Sequence, residues 1–345
     1  MLLLERAVMS HQFESGAFSV NPAWHKLGIV YQEPITLERA RQDTAPWEIE
    51  QVPLFAPLSV DQPVSGPQIQ VPGWKAIWRD DKLGEAEGLL HVCRNSYTPL
   101  TNAQTFDFFA PFFQDQDVAV EATCCLNGGK LITVLVRVLV EGDVVPGDTV
   151  YPYILLFNSH DGSTSVGVKM TMVRVVCRNT FEAAFFDSKA KRELGLGMYG
   201  NDREIRMRHT ANIQKQLEQV RNSINLSKRV FDLSMLEYQH MAAKQFNTAL
   251  FRTYLENLFE KELQASSEPK QLEDLRAFEP ILENYEGGIG VDIPGVAGTA
   301  WAAYQAVSEY VSHQRIKSED NRLKSLHFGS SRRILAKAHE LALAL

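Results

Sequence analysis

VYPYILLFNSHDGSTSVGVKMTMVRVVC, residues 150–177, is two runs of β-forming residues joined by a polar turn. Val, Ile, Tyr, Phe and Thr suit a pleated, half-buried surface, and Asp161-Gly162 between two such runs can take the positive φ of a tight turn. Strands are therefore expected over 150–158 and 164–177. The second run is apolar on both faces, with Val166, Val168, Met170 and Met172 on one and, after an irregularity, Val173 and Val175 on the other. Such a strand belongs in the middle of a sheet, covered on both sides.

Towards the N-terminus the pattern stays β-rich. WEIEQVPLF alternates from Trp47, GWKAIWR and LLHVCRNSY can pair across DDKLGEAEG, and VAVEATCCL and KLITVLVRV flank Asn127-Gly128-Gly129, a strong hairpin signal. NAQTFDFFAPFF between these pairs reads as an aromatic-rich helix capped by Asn102, and TLERARQ at 36–42 as a short helix capped by Thr36. Residues 1–35 read as an irregular lead-in.

After Asn179 the period changes. A helix over 179–190 capped by Asn179, one or two long charged helices over 202–265, and helices at 269–285, 299–316 and 331–344 are expected. Ile213, Leu217, Val220, Ile224 and Leu226 make the apolar stripe of the long segment. GGIGVDIPG at 287–295 is a connector, since no strand precedes it. The fold class is α+β: an antiparallel β-rich N-terminal half with an inserted helix, then a helical C-terminal half. The expected division is a lead-in to 35, an α+β core over 36–200, and a helical region over 201–345 packed on that core.

Composition narrows the function classes. With 345 residues and 45% hydrophobic content the chain can bury a sizeable core. Its longest apolar runs fall far short of the roughly 18 residues that cross a bilayer. The opening MLLLERAVM has no basic leader and no small-residue cleavage site, so the cytoplasm is the expected location. Cys93, Cys124, Cys125 and Cys177 form no C-x-x-C pair and stand at no zinc spacing from a histidine, so buried reduced thiols and no metal are expected.

The net charge of -7 is uneven: residues 1–162 carry -10, residues 163–230 carry +7, and residues 231–345 carry -4. A basic middle segment can follow a phosphate backbone if folding gathers its side chains on one face.

Ser159, His160 and Asp161 spell a hydrolytic triad in consecutive positions, but neighbours in extended chain point to opposite faces, so they cannot act on one another. They read as a turn, with Asn158 and His160 available to a ligand at its tip. In PAWHKLG (22–28), His25 reads as a buried, satisfied histidine and Trp24 as an anchor. Arg174 and Arg178 share a strand face beside Asn179, and two readings stay open: an anion site, or ion pairs with carboxylates of the acidic N-terminal half. Arg203, Arg206 and His209 recur at helical spacing, with Arg208 beside them. Trp74, Trp78, Tyr97, Phe106, Phe108 and Phe109 could offer stacking surfaces.

PAWHKLG, YTPLTNAQTF (97–106), LLFNSHDGS (155–163) with TMVRVVCRNT (171–180), RHTANI (208–213), and GTAWAAYQAVSEYVSHQR (298–315) with LHFGS (326–330) together resemble the phage/plasmid-like family of unknown function numbered 932 in the domain-of-unknown-function series. The likeness spans nearly the whole chain. Members of that family begin at a position equivalent to Met9-Ser10-His11, so residues 1–8 read as an upstream extension. The resemblance implies a protein of phages, prophages and plasmids. The β-β-α-β-β order is also loosely similar to phage single-strand annealing recombinases, at the level of fold alone.

The expected function is a non-enzymatic nucleic-acid-binding protein of mobile elements, acting in single-strand annealing, recombination or replication, and assembling as a homo-oligomer. Asn158, His160, Arg174, Arg178, Arg203, Arg206, Arg208 and His209 are the expected contacts to single-stranded nucleic acid. No catalytic residue, cofactor, metal or membrane is expected. Two rivals remain: a hydrolase of a phosphate-containing substrate, with His160 and Asp161 or His25 and His209 converging, and an interaction protein that counters a host factor through its acidic half.

Overall fold

The fold is that of a computed structural model that describes residues 13–19, 28–59, 65–114, 118–177, 180–182, 204–223, 227–265, 270–317, 322, 325–326 and 329–345. The two runs of the 150–177 stretch become strands β9 (Thr149–Ser159) and β10 (Val166–Arg174), paired antiparallel from Gly167 opposite Phe157 to Arg174 opposite Val150. The register is unbroken, so the irregularity expected before Val173 is absent. β10 is buried along its whole length. Its far edge is shared by β11 (Thr180–Glu182) and β12 (Glu204–Met207), which makes it a central strand as its two apolar faces require.

The sheet continues from β9 through β7 (Leu131–Val138) and β6 (Val118–Leu126) to β1 (Phe13–Phe18) and β2 (Ile29–Val30), with β8 (Gly142–Asp143) on β9. The β6–β7 hairpin turns at Asn127-Gly128-Gly129, all three at positive φ (55°, 67° and 92°). β1 and β2 correct the reading of residues 1–35 as irregular: Ala17 and Phe18 are buried, and β1 pairs with β6. A smaller sheet holds β3 (Ile49–Pro57), β4 (Gln68–Arg79) and β5 (Leu89–Arg94). Helix α1 (Leu37–Thr44) starts at Thr36, whose side chain accepts from the Arg39 N–H. α2 (Asn102–Asp107) and α3 (Ala110–Gln114) follow. The cap of α2 is Thr101, in a reciprocal capping box with Gln104, and not Asn102, whose side chain turns inward.

Side chains alternate across β7, β9 and β10, so the large sheet carries two apolar faces. On one, Val134, Leu156 and Val168 pack with Trp47, Ile77, Phe106 and Phe109 from the small sheet and α2. On the other, Leu135, Leu155 and Phe157 pack with Phe13 and Phe18. The far end of the first face meets the helical layer through Val150, Met170 and Met172. α4 (Ile213–Ser223) instead sends Ile213, Leu217 and Val220 into the first core, beside the small sheet and α2, and the helical layer comprises α5 (Ser227–Ala243), α6 (Thr248–Leu258), α7 (Glu260–Gln264), α8 (Phe278–Gly287), α9 (Ala300–Glu309) and α10 (Ser330–Ala344). Every residue of α9 from Ala300 to Ser308 is buried; its alanines let α5, α8 and α10 approach closely, and Trp301 and Tyr304 fill the space between them.

Two helical expectations change. Thr180–Glu182 is a strand on β10 rather than the start of a helix, and the rest of the 179–190 helix lies outside the described residues. Glu204–Met207 is a strand, not part of a charged helix: the free edge of β10 from Val166 to Lys169 offers backbone partners, and Ile205 and Met207 point into the core. β12 therefore belongs to the sheet although the expected boundary at 200 grouped it with the helices.

Gly167 has a steric role. A Cβ there would stand 1.9 Å from Cζ of Phe157, whose ring lies across it. Gly167→Ala is expected to cost about 1–3 kcal/mol in urea unfolding, as overpacking of a filled core does. An unchanged midpoint would contradict this packing.

Candidate functional site

Three segments converge beyond the β9–β10 turn to form an open cleft of about 560 Å3. Ser96 and Tyr97 come from the loop after β5; Gly162, Ser163, Thr164 and Ser165 from the turn into β10; Arg206, Arg208, His209 and Thr210 from the end of β12 and the turn into α4. β12 brings the last group here because its pairing with β10 sets Arg206 opposite Gly167.

Hydrogen bonds fix the walls. The Asp161 carboxylate accepts the Ser163 N–H at 2.9 Å, and burial, which opposes ionisation, is outweighed by these turn bonds, so its pKa stays below the usual carboxylate value. Ser159 Oγ donates to the Thr164 carbonyl and accepts the Thr164 N–H, which ties the middle of this run back to the end of β9. Arg206 lies over the Phe157 ring, 5.2 Å from its centroid, and Nη1 donates to Thr164 Oγ1 at 2.5 Å. Gly167, by letting Phe157 lie flat, sets the platform under Arg206.

A ladder of rings backs the cleft. Tyr97 stacks on His209 at 4.7 Å and meets His91 edge-on at 5.3 Å. His209 is 8% exposed, and neither ring nitrogen has a hydrogen-bond partner. Burial holds its pKa at about 4, against a smaller upward pull from the Thr98 backbone, so the ring is neutral at physiological pH.

The expected contact residues separate into three groups. Arg206, Arg208 and His209 do come together at this cleft, although through a strand and a turn, not a helix face. Arg178 and Arg203 lie outside the described residues, as do His25 and Trp24, whose sequence reading is a buried histidine and an anchor rather than contacts. Asn158, His160 and Arg174 are buried and cannot touch a strand of nucleic acid. The Asn158 amide donates to the Leu100 carbonyl and Thr105 Oγ1, tying β9 to the entrance of α2. The backbone N–H of His160 donates to the Lys130 carbonyl, and its ring sits against Trp47. Because the Asn102 amide donates to the Trp47 carbonyl, its Oδ1 is the acceptor that takes the proton of His160 Nε2 at 2.8 Å. His160 and Asp161 thus serve different partners, and the first has no access to a substrate. Arg174 is claimed by Asp148 through a bidentate pair. The reason is common to all three: they lie on β9, its end or β10, where both faces of the sheet are covered.

Of the aromatic candidates, Phe106, Phe108 and Phe109 are core, Trp74 carries the Arg94 guanidinium, and Trp78 donates to the Lys82 and Glu85 carbonyls. Only Tyr97 of the six lines the cleft. The Ser163-Thr164-Ser165 run carries no site expectation from sequence, and three adjacent hydroxyls between a turn and a strand are its one signal. Among the described residues no three His, Cys, Asp or Glu side chains stand together to hold a metal ion, and no helix is long and apolar enough to cross a membrane.

The family model for the domain of unknown function DUF932 matches residues 89–327. The chain belongs to this family. The DUF932 match runs from β5 to just before α10 and contains every residue of the cleft, while β1 to β4 lie outside it. No curated protein and no solved structure matches the chain.

Proposed function

We propose that this protein binds single-stranded nucleic acid without transforming it, holding backbone phosphate at the cleft beside Arg206 and Arg208. One observation carries the reading: two guanidinium side chains share a cleft with a run of hydroxyls and a stacked Tyr97–His209 pair. Guanidinium groups and hydroxyls suit phosphate oxygens, and an aromatic wall suits a base. The contact set is smaller than the whole basic segment, because Arg174 is neutralised inside the protein. The resemblance to a phage- and plasmid-borne family supports a role in strand annealing, recombination or replication of mobile elements, in the cytoplasm. The β3–β4 hairpin, which exposes Phe55, Leu58 and Ile69, supports assembly into a homo-oligomer.

The test is fluorescence anisotropy with a labelled oligothymidine across a salt series. Binding should weaken steeply with salt, as counterion release demands. Arg208→Ala, at an exposed position, should weaken it about tenfold and reduce the log-log salt slope by about 1 while leaving the unfolding midpoint in place. Absence of binding at low ionic strength sinks the proposal.

A further inference from the structure

The outer face of the small sheet lies outside the packed cores. Ile77 points inward from β4, so Trp74, Ala76 and Trp78 point outward, with Val92 and Arg94 beside them on β5 and Val52 on β3. None of these six is part of a packed core, and Val92 is 40% exposed. At one end of the face Arg94 is exposed, and its guanidinium lies over the Trp74 ring, 4.4 Å from the centroid. No carboxylate among the described residues pairs with it. The other end is acidic: Glu50 stands opposite Trp78, whose N–H donates to the Lys82 and Glu85 carbonyls.

The cationic end leads into the cleft, which Ser96 and Tyr97 line just after Arg94. This link is held to β4: the Asn95 N–H donates to the Gly73 carbonyl at 3.0 Å, and Lys75 Nζ donates to the carbonyls of Asn95 at 3.3 Å and Tyr97 at 2.7 Å. A guanidinium laid flat on an indole offers its other face to a base and keeps its in-plane N–H groups for phosphate. A carboxylate partner would use the edge alone and would need no ring beneath. We infer that this face is a stacking platform: an unpaired base of single-stranded nucleic acid lies on Arg94, backed by Trp74, and the strand runs from there past Ser96 and Tyr97 into the cleft. This rests on the reading of the cleft as a strand-binding site and extends that site by a second contact.

The experiment measures anisotropy with a labelled oligothymidine longer than the ~16 nucleotides a single binding fold covers. Arg94→Ala should weaken binding about fivefold or more while the unfolding midpoint stays in place. Arg94→Lys should show a similar loss, because lysine keeps the charge without the plane. Native affinity in either variant overturns the platform and leaves strand binding at the cleft intact. Binding of oligoglutamate that depends on Arg94, with no effect of Arg94→Ala on oligothymidine, assigns the face to an acidic protein partner and overturns the platform as well. No binding of oligothymidine by the native protein overturns strand binding itself, so the two failures are distinct.

Discussion

Arg174→Ala should lose about 3–5 kcal/mol of folding stability, the cost of breaking one side of a buried ion pair. Arg174 is 1% and Asp148 0% exposed, and the guanidinium donates to both carboxylate oxygens, Nε to Oδ1 at 2.6 Å and Nη2 to Oδ2 at 2.8 Å. Its remaining donors reach the carbonyls of Ile289 and Gly290, at 3.1 and 2.9 Å. Asp148 Oδ2 also accepts from Trp301 Nε1 at 2.8 Å. One arginine thus joins β10, the β8–β9 turn, the 287–295 connector and α9. Truncation leaves a carboxylate without its counter-ion in a dry interior. Urea unfolding of Arg174→Ala measures the loss. The joint variant Arg174→Met/Asp148→Leu should recover most of it, because removing both charges removes the unpaired one. A single variant within about 1 kcal/mol of the native protein would show that the pair is not the tie described.

Acidification from pH 6.5 to 4.5 should cost about 3–5 kcal/mol, through His160 and His209. Burial, reinforced by the neighbouring His209, lowers His160 to about 3; burial lowers His209 to about 4; the ordinary value is 6.5. Their folded-state pKa values lie below the unfolded ones, so the unfolded chain binds protons more readily in this window. Stability from both is therefore whole above about pH 6.5, falls as pH drops, and levels only below the folded values, at about 1.4 kcal/mol per unit for each histidine. The structure explains the resistance of His160: Nε2 already donates to Asn102, and Nδ1 has no acceptor to receive a second proton. Burial depresses His91 and His313 in the same direction. Unfolding midpoints measured every half unit test this, and His209→Gln should remove a large part of the slope. A flat profile between pH 6.5 and 5, above the range where carboxylates titrate, would refute it.

Much of the β-rich half was legible because its signals are local. The alternation in WEIEQVPLF, the Asn127-Gly128-Gly129 turn and the doubly apolar 164–177 run each specify a strand or its end without reference to distant residues, and all three appear as expected. The cleft was only partly legible. Charge and helical spacing point to Arg203, Arg206 and His209, with Arg208 beside them, yet Arg206 lies on a strand and Arg208 and His209 on the turn that follows it. Asn158 and His160 have the chemistry of ligand contacts at a turn tip, but Asn102, Thr105 and Leu100 come from more than fifty residues away to enclose them.

The amino-acid order alone determined the α+β class, the central place of β10 and the presence of a basic segment, because periodicity, turn chemistry and charge are properties of neighbouring residues. Which basic side chains stay at the surface was decided only by tertiary structure. Arg174 and Arg206 are both cations of the basic segment and both end on strands of one sheet; one meets Asp148 beneath the α9 layer and the other lies over Phe157 at the rim of a cleft. Burial and pairing depend on contacts between residues far apart in the chain, and local pattern carries no record of them.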